Sequence, residues 1–149
     1  MKLNIFCLPA LMLIFASCTN SKQIKRVEVT DSPDSISGCY SYSKNNDLVS
    51  LSIKDTAGII IGNLAYNIYE KDSNTGTING KMKGDTLLAD YTFQSEGTES
   101  VRQVAFLRSG KNFQEGFGEV EERNGKTVFK NPNTLTFENM ILEPVPCEK

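Results

Sequence analysis

Glutamates and thiols are the side chains of this 149-residue sequence best suited to chemistry, and no histidine accompanies them. Glu115, Glu119, Glu121 and Glu122 form an acid run. Two carboxylates at the right separation can cleave a glycosidic bond, one as acid and the other as base or nucleophile. On a strand Glu115, Glu119 and Glu121 would share one face with Phe113 and Phe117, because alternate residues point the same way. Such a face is either a solvated acidic surface whose aromatics cover the end of the domain, or a surface that binds a sugar or a cation. A second cluster, Glu96, Glu99 and Arg102, falls in a glycine-containing loop over 94–102 between two strand-like segments. Loops carried on a rigid base often present binding groups, and this one is the candidate binding loop. Its plainer reading is a hairpin tip with an ion pair worth about 0–1 kcal/mol.

Two apparent motifs fail on their own chemistry. Asp72-Ser73-Asn74-Thr75-Gly76 has the alternating oxygens of a calcium loop, but the glycine comes one place early and Lys83 stands where a bidentate Glu is required. A hairpin loop with Gly76 in a left-handed position accounts for it better. Gly76 to Lys81 is one residue too short between its glycines for a phosphate-binding loop, and Met82 replaces the hydroxyl that would hold magnesium. No metal or cofactor is expected. Nor is catalysis: acid–base work would fall to carboxylates or lysines that nothing in the sequence places.

The thiols point to the cell envelope. Lys2 precedes an apolar stretch from Ile5 to Phe15, broken only by Pro9, which is shorter than the roughly 20 residues that span a bilayer. Ala16 and Ser17 are small enough to admit a peptidase just before Cys18. The segment Leu13-Ile14-Phe15-Ala16-Ser17-Cys18 resembles the lipidation site of bacterial lipoproteins, with Phe15 where leucine is commoner. That resemblance implies cleavage after residue 17, a diacylglycerol on the Cys18 thiol and an acylated amino terminus. Several acyl chains anchor stably where one holds only marginally. Thr19 in place of Asp implies delivery to the outer membrane by analogy with sorting in other bacteria, and the absence of an acidic run after Cys18 implies the periplasmic face.

With Cys7 in the leader and Cys18 carrying lipid, Cys39 and Cys147 remain. Two cysteines with neither histidine nor a Cys-x-x-Cys spacing nearby make one structural disulfide in an oxidising compartment. It would close a loop of about 109 residues, worth up to roughly 4.7 kcal/mol on the chain-entropy model. Removing residues 1–17 leaves 15 basic and 18 acidic side chains, a formal charge of −3. Basic and acidic residues are interspersed, so no nucleic-acid partner is expected.

Residues 18–35 are polar and poor in apolar side chains, the composition of a tether. Some 17 coil residues reach about 20–25 Å, enough to hold a domain just off the lipid. Lys22, Lys25 and Arg26 could also meet anionic head groups.

From residue 36 to 149 the pattern is that of one all-β domain. Val49, Leu51 and Ile53 alternate with Ser50, Ser52 and Lys54. Leu87, Ala89, Tyr91 and Phe93 alternate with Leu88, Asp90, Thr92 and Gln94. Val104 and Phe106 lie between Arg102 and Arg108, and Gly62 falls among Ile60, Leu64 and Tyr66, where a strand bends or a neighbour comes close. Turn chemistry separates these runs at Asn45-Asn46, Thr56-Ala57-Gly58, Gly84-Asp85, Ser109-Gly110-Lys111, Asn124-Gly125 and Asn131-Pro132-Asn133. The expectation is an antiparallel meander of about eight to ten strands closing into a small barrel, with the disulfide joining first and last strands. A two-sheet sandwich is the alternative.

Three tripeptides, Asp34-Ser35-Ile36, Asp55-Thr56-Ala57 and Asp85-Thr86-Leu87, resemble the O-glycosylation acceptor of the Bacteroidetes group, which marks Ser35, Thr56 and Thr86 as candidate acceptors. With the strand-rich body and near-terminal cysteine, the whole chain resembles the small uncharacterised lipoproteins exported by that group. A narrower, architectural resemblance is to the periplasmic lysozyme inhibitors, small and often lipid-anchored barrels with a disulfide from near the domain start to near its end. Tyr40 and Tyr42 lie beside Cys39, but nothing matches the loop that plugs a lysozyme cleft. Fold does not give function. Two functions follow: an envelope binding module for a ligand, glycan or partner protein, marked by an apolar cavity, and an envelope scaffold without a small-molecule ligand, marked by a filled barrel.

Overall fold

The computed structural model of the chain describes residues 36–147 apart from Asp72, Glu96 and Asn139. The expected leader, Cys18, the expected tether and Ser35 lie outside these residues. Ten strands follow: β1 (Gly38–Lys44), β2 (Asp47–Thr56), β3 (Ile59–Asn67), β4 (Asn74–Lys83), β5 (Thr86–Ser95), β6 (Thr98–Ser109), β7 (Asn112–Glu115), β8 (Val120–Arg123), β9 (Lys126–Phe129) and β10 (Ile141–Val145). β1 to β7 pair with their neighbours in sequence, and β10 returns antiparallel between β7 and β1. Those eight strands form a closed antiparallel barrel.

Backbone handedness at the turns explains the tight hairpins. Asn45 and Asn46 have φ of 53° and 67°, Ala57 and Gly58 of 54° and 85°, and Asn124 and Gly125 of 53° and 73°. Positive φ at both central residues matches the twist of paired strands, and Asn and Gly tolerate it best.

The inward register carries the core. Val49, Leu51 and Ile53 are at most 4 % exposed, and they meet Ile60, Leu64, Ile78, Leu87, Phe106, Phe113 and Leu142. At Gly62 an added Cβ would lie 1.9 Å from the Ser52 carbonyl oxygen, so the close approach expected there is real. Gly76 departs from its expected place in a loop. It sits inside β4, between Leu64 and Phe93, where a Cβ would lie 2.0 Å from the Thr92 carbonyl oxygen. Small barrels coil strongly, and an inward glycine relieves the crowding that results.

Cys39 on β1 and Cys147, two residues beyond β10, are bridged with Cα atoms 5.2 Å apart. The register supplies the reason: Cys39 lies opposite Val145, so the chain leaving β10 passes the β1 thiol. At this end the chain enters at buried Ile36, whose carbonyl accepts a hydrogen bond from the Tyr40 hydroxyl at 3.1 Å. The β5–β6 turn and the ends of β3 and β7 lie at the opposite end.

The β8–β9 hairpin is not part of the barrel. It docks outside β6 through the parallel bridge Arg102–Thr127, a hydrogen bond from the Phe129 amide to Gln103 Oε1 at 3.2 Å, and a Lys126–Asp90 ion pair at 2.5 Å.

Candidate binding site at the open barrel end

A difference in strand length opens the barrel. β6 has 12 residues and β7 only four, so β7 covers Phe106–Ser109 and leaves the first half of β6 without an antiparallel partner on that side. Beyond Glu115 the chain turns away, with the Gly116 amide bonded to the Ala105 carbonyl at 2.8 Å. Phe117 then bridges Thr136 instead of extending β7. The expected acidic strand face is therefore not formed. Phe113 and Glu115 point inward, whereas Glu119 is exposed and pairs with Lys130 at 3.1 Å, and Glu121 lies on β8 beside Arg123. The shortness of β7 is what separates them.

The opening is a cavity of about 590 Å³, lined among others by Tyr66, Arg102, Glu115, Phe117, Val120 and Met140. Its floor is a polar cluster against the apolar core. Tyr66 Oη donates to Glu115 Oε1 at 2.5 Å. Arg102 places its guanidinium 4.8 Å from the ring centre of Tyr66, 5.3 Å from Tyr91 and 5.5 Å from Phe93. Ring faces attract a cation, and desolvation strengthens the attraction to about 2 kcal/mol or more. Tyr91 and Phe93 stack at 4.8 Å and hold that wall flat.

The cluster is not self-sufficient. Glu115 is 5 % exposed, yet its Oε2 has no hydrogen-bond partner among the described residues, and the same holds for Arg102 Nε and Tyr91 Oη. Burial pushes the Glu115 carboxyl above its ordinary value of 4.5, while the Tyr66 hydrogen bond and the Arg102 charge pull it partly back. Burial and the neighbouring carboxylate likewise raise the Tyr66 hydroxyl well beyond the ordinary phenol range. Burial, offset by Arg102, raises Tyr91 as well.

The Glu115 shift has a signed consequence. A carboxyl whose folded pKa is raised takes up a proton on folding, so its favourable contribution is complete below the unfolded value and is lost as pH rises through the folded one. Glu115→Gln carries no such proton. Thermal melts from about pH 4.5 to about 8 should show the variant gaining steadily on the parent as pH rises. A constant difference across that range would mean that Glu115 does not titrate abnormally.

The candidate loop residues separate in space. Arg102 is opposite Tyr91 within the β5–β6 ladder and faces the barrel interior, whereas exposed Glu99 is opposite Gln94 on the other face of β6. Residues three apart on a strand point to opposite sides. Glu96 lies outside the described residues. Thr56 is exposed at the end of β2 and Thr86 half-buried at the start of β5, each beside a turn. Sequence reasoning did not connect Tyr66 with Glu115. Its available signal was a charge at Arg102 in step with Val104 and Phe106. No protein-family model, curated protein or solved structure matches this chain.

Proposed function

We propose that this protein is a lipid-anchored envelope protein whose barrel mouth binds a small polar ligand. One observation carries the binding half: a half-buried arginine and a buried glutamate, each with a buried polar atom that has no partner among the described residues, are among the residues lining a cavity at the open end of an otherwise apolar barrel. Each such group costs about 1–3 kcal/mol when left unpaired, so a cluster of them is a poor way to stabilise a fold and a good way to meet a ligand. The site resembles the usual pocket in having an apolar wall and a few convergent polar groups.

The leader supports the envelope half. Within the barrel, the mouth lies at the end opposite the disulfide and the start of β1. Cys18→Ala removes the only thiol placed to carry the lipid, and membranes from cells expressing it should lack the processed protein found with the parent. Equal processing and membrane retention would remove lipidation from the account.

For the mouth, the full chain is incubated with the water-soluble, low-molecular-weight fraction of the source envelope and inspected by native mass spectrometry. The parent should retain an added mass that Arg102→Ala loses and Glu99→Ala keeps. Retention lost with Glu99→Ala and kept with Arg102→Ala would move the site to the hairpin surface. No retained mass would count against the binding module.

A further inference from the structure

We infer that the ligand of the barrel mouth is a neutral, hydroxyl-rich ring, the terminal sugar of a glycan. The inference rests on the mouth being a binding site and adds the ligand class. Three observations carry it.

The floor of the mouth carries charges of both signs. Arg102 faces Glu115 across Tyr66, and outside the cavity Lys130 pairs with Glu119 at 3.1 Å. Lys71 adds one exposed cation at the rim. An anion would gain from Arg102 but would have to approach the Glu115 carboxylate, whose unpartnered Oε2 repels it when ionised. A neutral ligand meets no such opposition.

The unpartnered atoms are of complementary kinds. Glu115 Oε2 accepts and Arg102 Nε donates. A sugar's neighbouring hydroxyls each both donate and accept, so one can give its proton to Glu115 while the next accepts from Arg102. Bonds to charged partners are the strong ones, and the low-dielectric floor strengthens them further.

The rim is apolar. Phe117 is 38 % exposed and Val120 49 % exposed, and both line the cavity. A pyranose has a C–H face of the same character, and an aromatic ring covers it while the hydroxyl edge points to the polar floor. Gly116 and Gly118 let the chain around Phe117 lie close: an added Cβ would stand 2.5 Å from the Phe137 ring and 2.6 Å from the Leu135 side chain. The Phe117 backbone is held at the rim by its two hydrogen bonds with Thr136, each 2.9 Å.

The test is calorimetric titration of the full chain with methyl glycosides of glucose, galactose, mannose and N-acetylglucosamine and with their disaccharides, beside glucuronate and succinate as anionic probes. At least one neutral sugar should bind. At a pH high enough to ionise Glu115, Glu115→Gln should weaken it about tenfold or more, because a hydrogen bond to a charged group is exchanged for one to a neutral amide. Phe117→Ala, a change at an exposed side chain that leaves the polar floor intact, should weaken the same sugar severalfold and so keeps the test decisive if the Glu115 variant folds poorly. Binding of glucuronate or succinate with none of the neutral sugars overturns the sugar assignment while leaving the mouth as a binding site. Absence of binding by every probe overturns it too, and native mass spectrometry with the envelope fraction then decides separately whether the mouth binds anything. Sugar binding unaffected by both substitutions places the sugar elsewhere and contradicts the inference.

Discussion

Replacing Cys39 and Cys147 by serine is expected to lower the melting temperature by roughly 10–20 °C. The bridge spans a sequence separation of 108, and a loop of that order restrains the unfolded chain by up to about 4.7 kcal/mol. A domain of this size shifts by roughly 3–5 °C per kcal/mol. The effect is large here because the bridge reinforces a thin closure. β10 meets β1 over Cys39, Tyr40 and Ser41, and one of those pairs is with Pro144, which has no amide proton to give. Parent protein unfolded without reductant should show neither Cys39 nor Cys147 reactive to a thiol reagent. Reactivity of Cys39 and Cys147 themselves, or a serine variant melting with the parent, would contradict closure of the barrel by this bridge.

Phe113→Ala is expected to cost about 3–5 kcal/mol, the range for truncating a buried aromatic side chain. Phe113 is 1 % exposed and meets Tyr40 edge to face at 4.8 Å. It also lies opposite Leu142 in the β7–β10 seam, which has only two residue pairs. Loss of the ring leaves a cavity at the narrowest part of the wall, where neighbouring strands offer little to fill it. Hydrogen exchange should therefore quicken first in β7 and β10, while the long ladder of β2 to β5 stays protected. Uniform loss of protection, or a cost under about 1 kcal/mol, would show that the seam is not the weak element.

Much of the barrel was legible because alternation and turn chemistry agreed. The run from Val49 to Ile53 and the positive-φ turns at Asn45-Asn46 and Asn124-Gly125 fall where expected, and the terminal disulfide follows from closure. The site was only half legible. A charge at Arg102 reads as exposed when judged by residue type, although its place two residues before Val104 puts it on the inward face. Its environment comes from Tyr66, Tyr91 and Phe93 on other strands. The Tyr66–Glu115 bond joins residues 49 apart, a pairing that no local spacing encodes. The end of β7 was hidden for a different reason. Gly116 and Gly118 let the chain turn against Phe137 and Leu135, and that packing outweighs the strand-like pattern running from Phe113 to Phe117.

The claim at the centre of the account is that the Tyr66–Arg102–Glu115 cluster is kept for a ligand and not for the fold. The most direct measurement is the stability and ligand retention of the full chain with Tyr66→Phe, Arg102→Met and Glu115→Leu combined. Exchanging a buried polar cluster for apolar groups of similar size is often neutral or stabilising by about 1–4 kcal/mol. The predicted result is a melting temperature equal to or above the parent's, with the retained mass lost. A variant that melts many degrees lower, or one that still holds the parent's ligand, would contradict the claim.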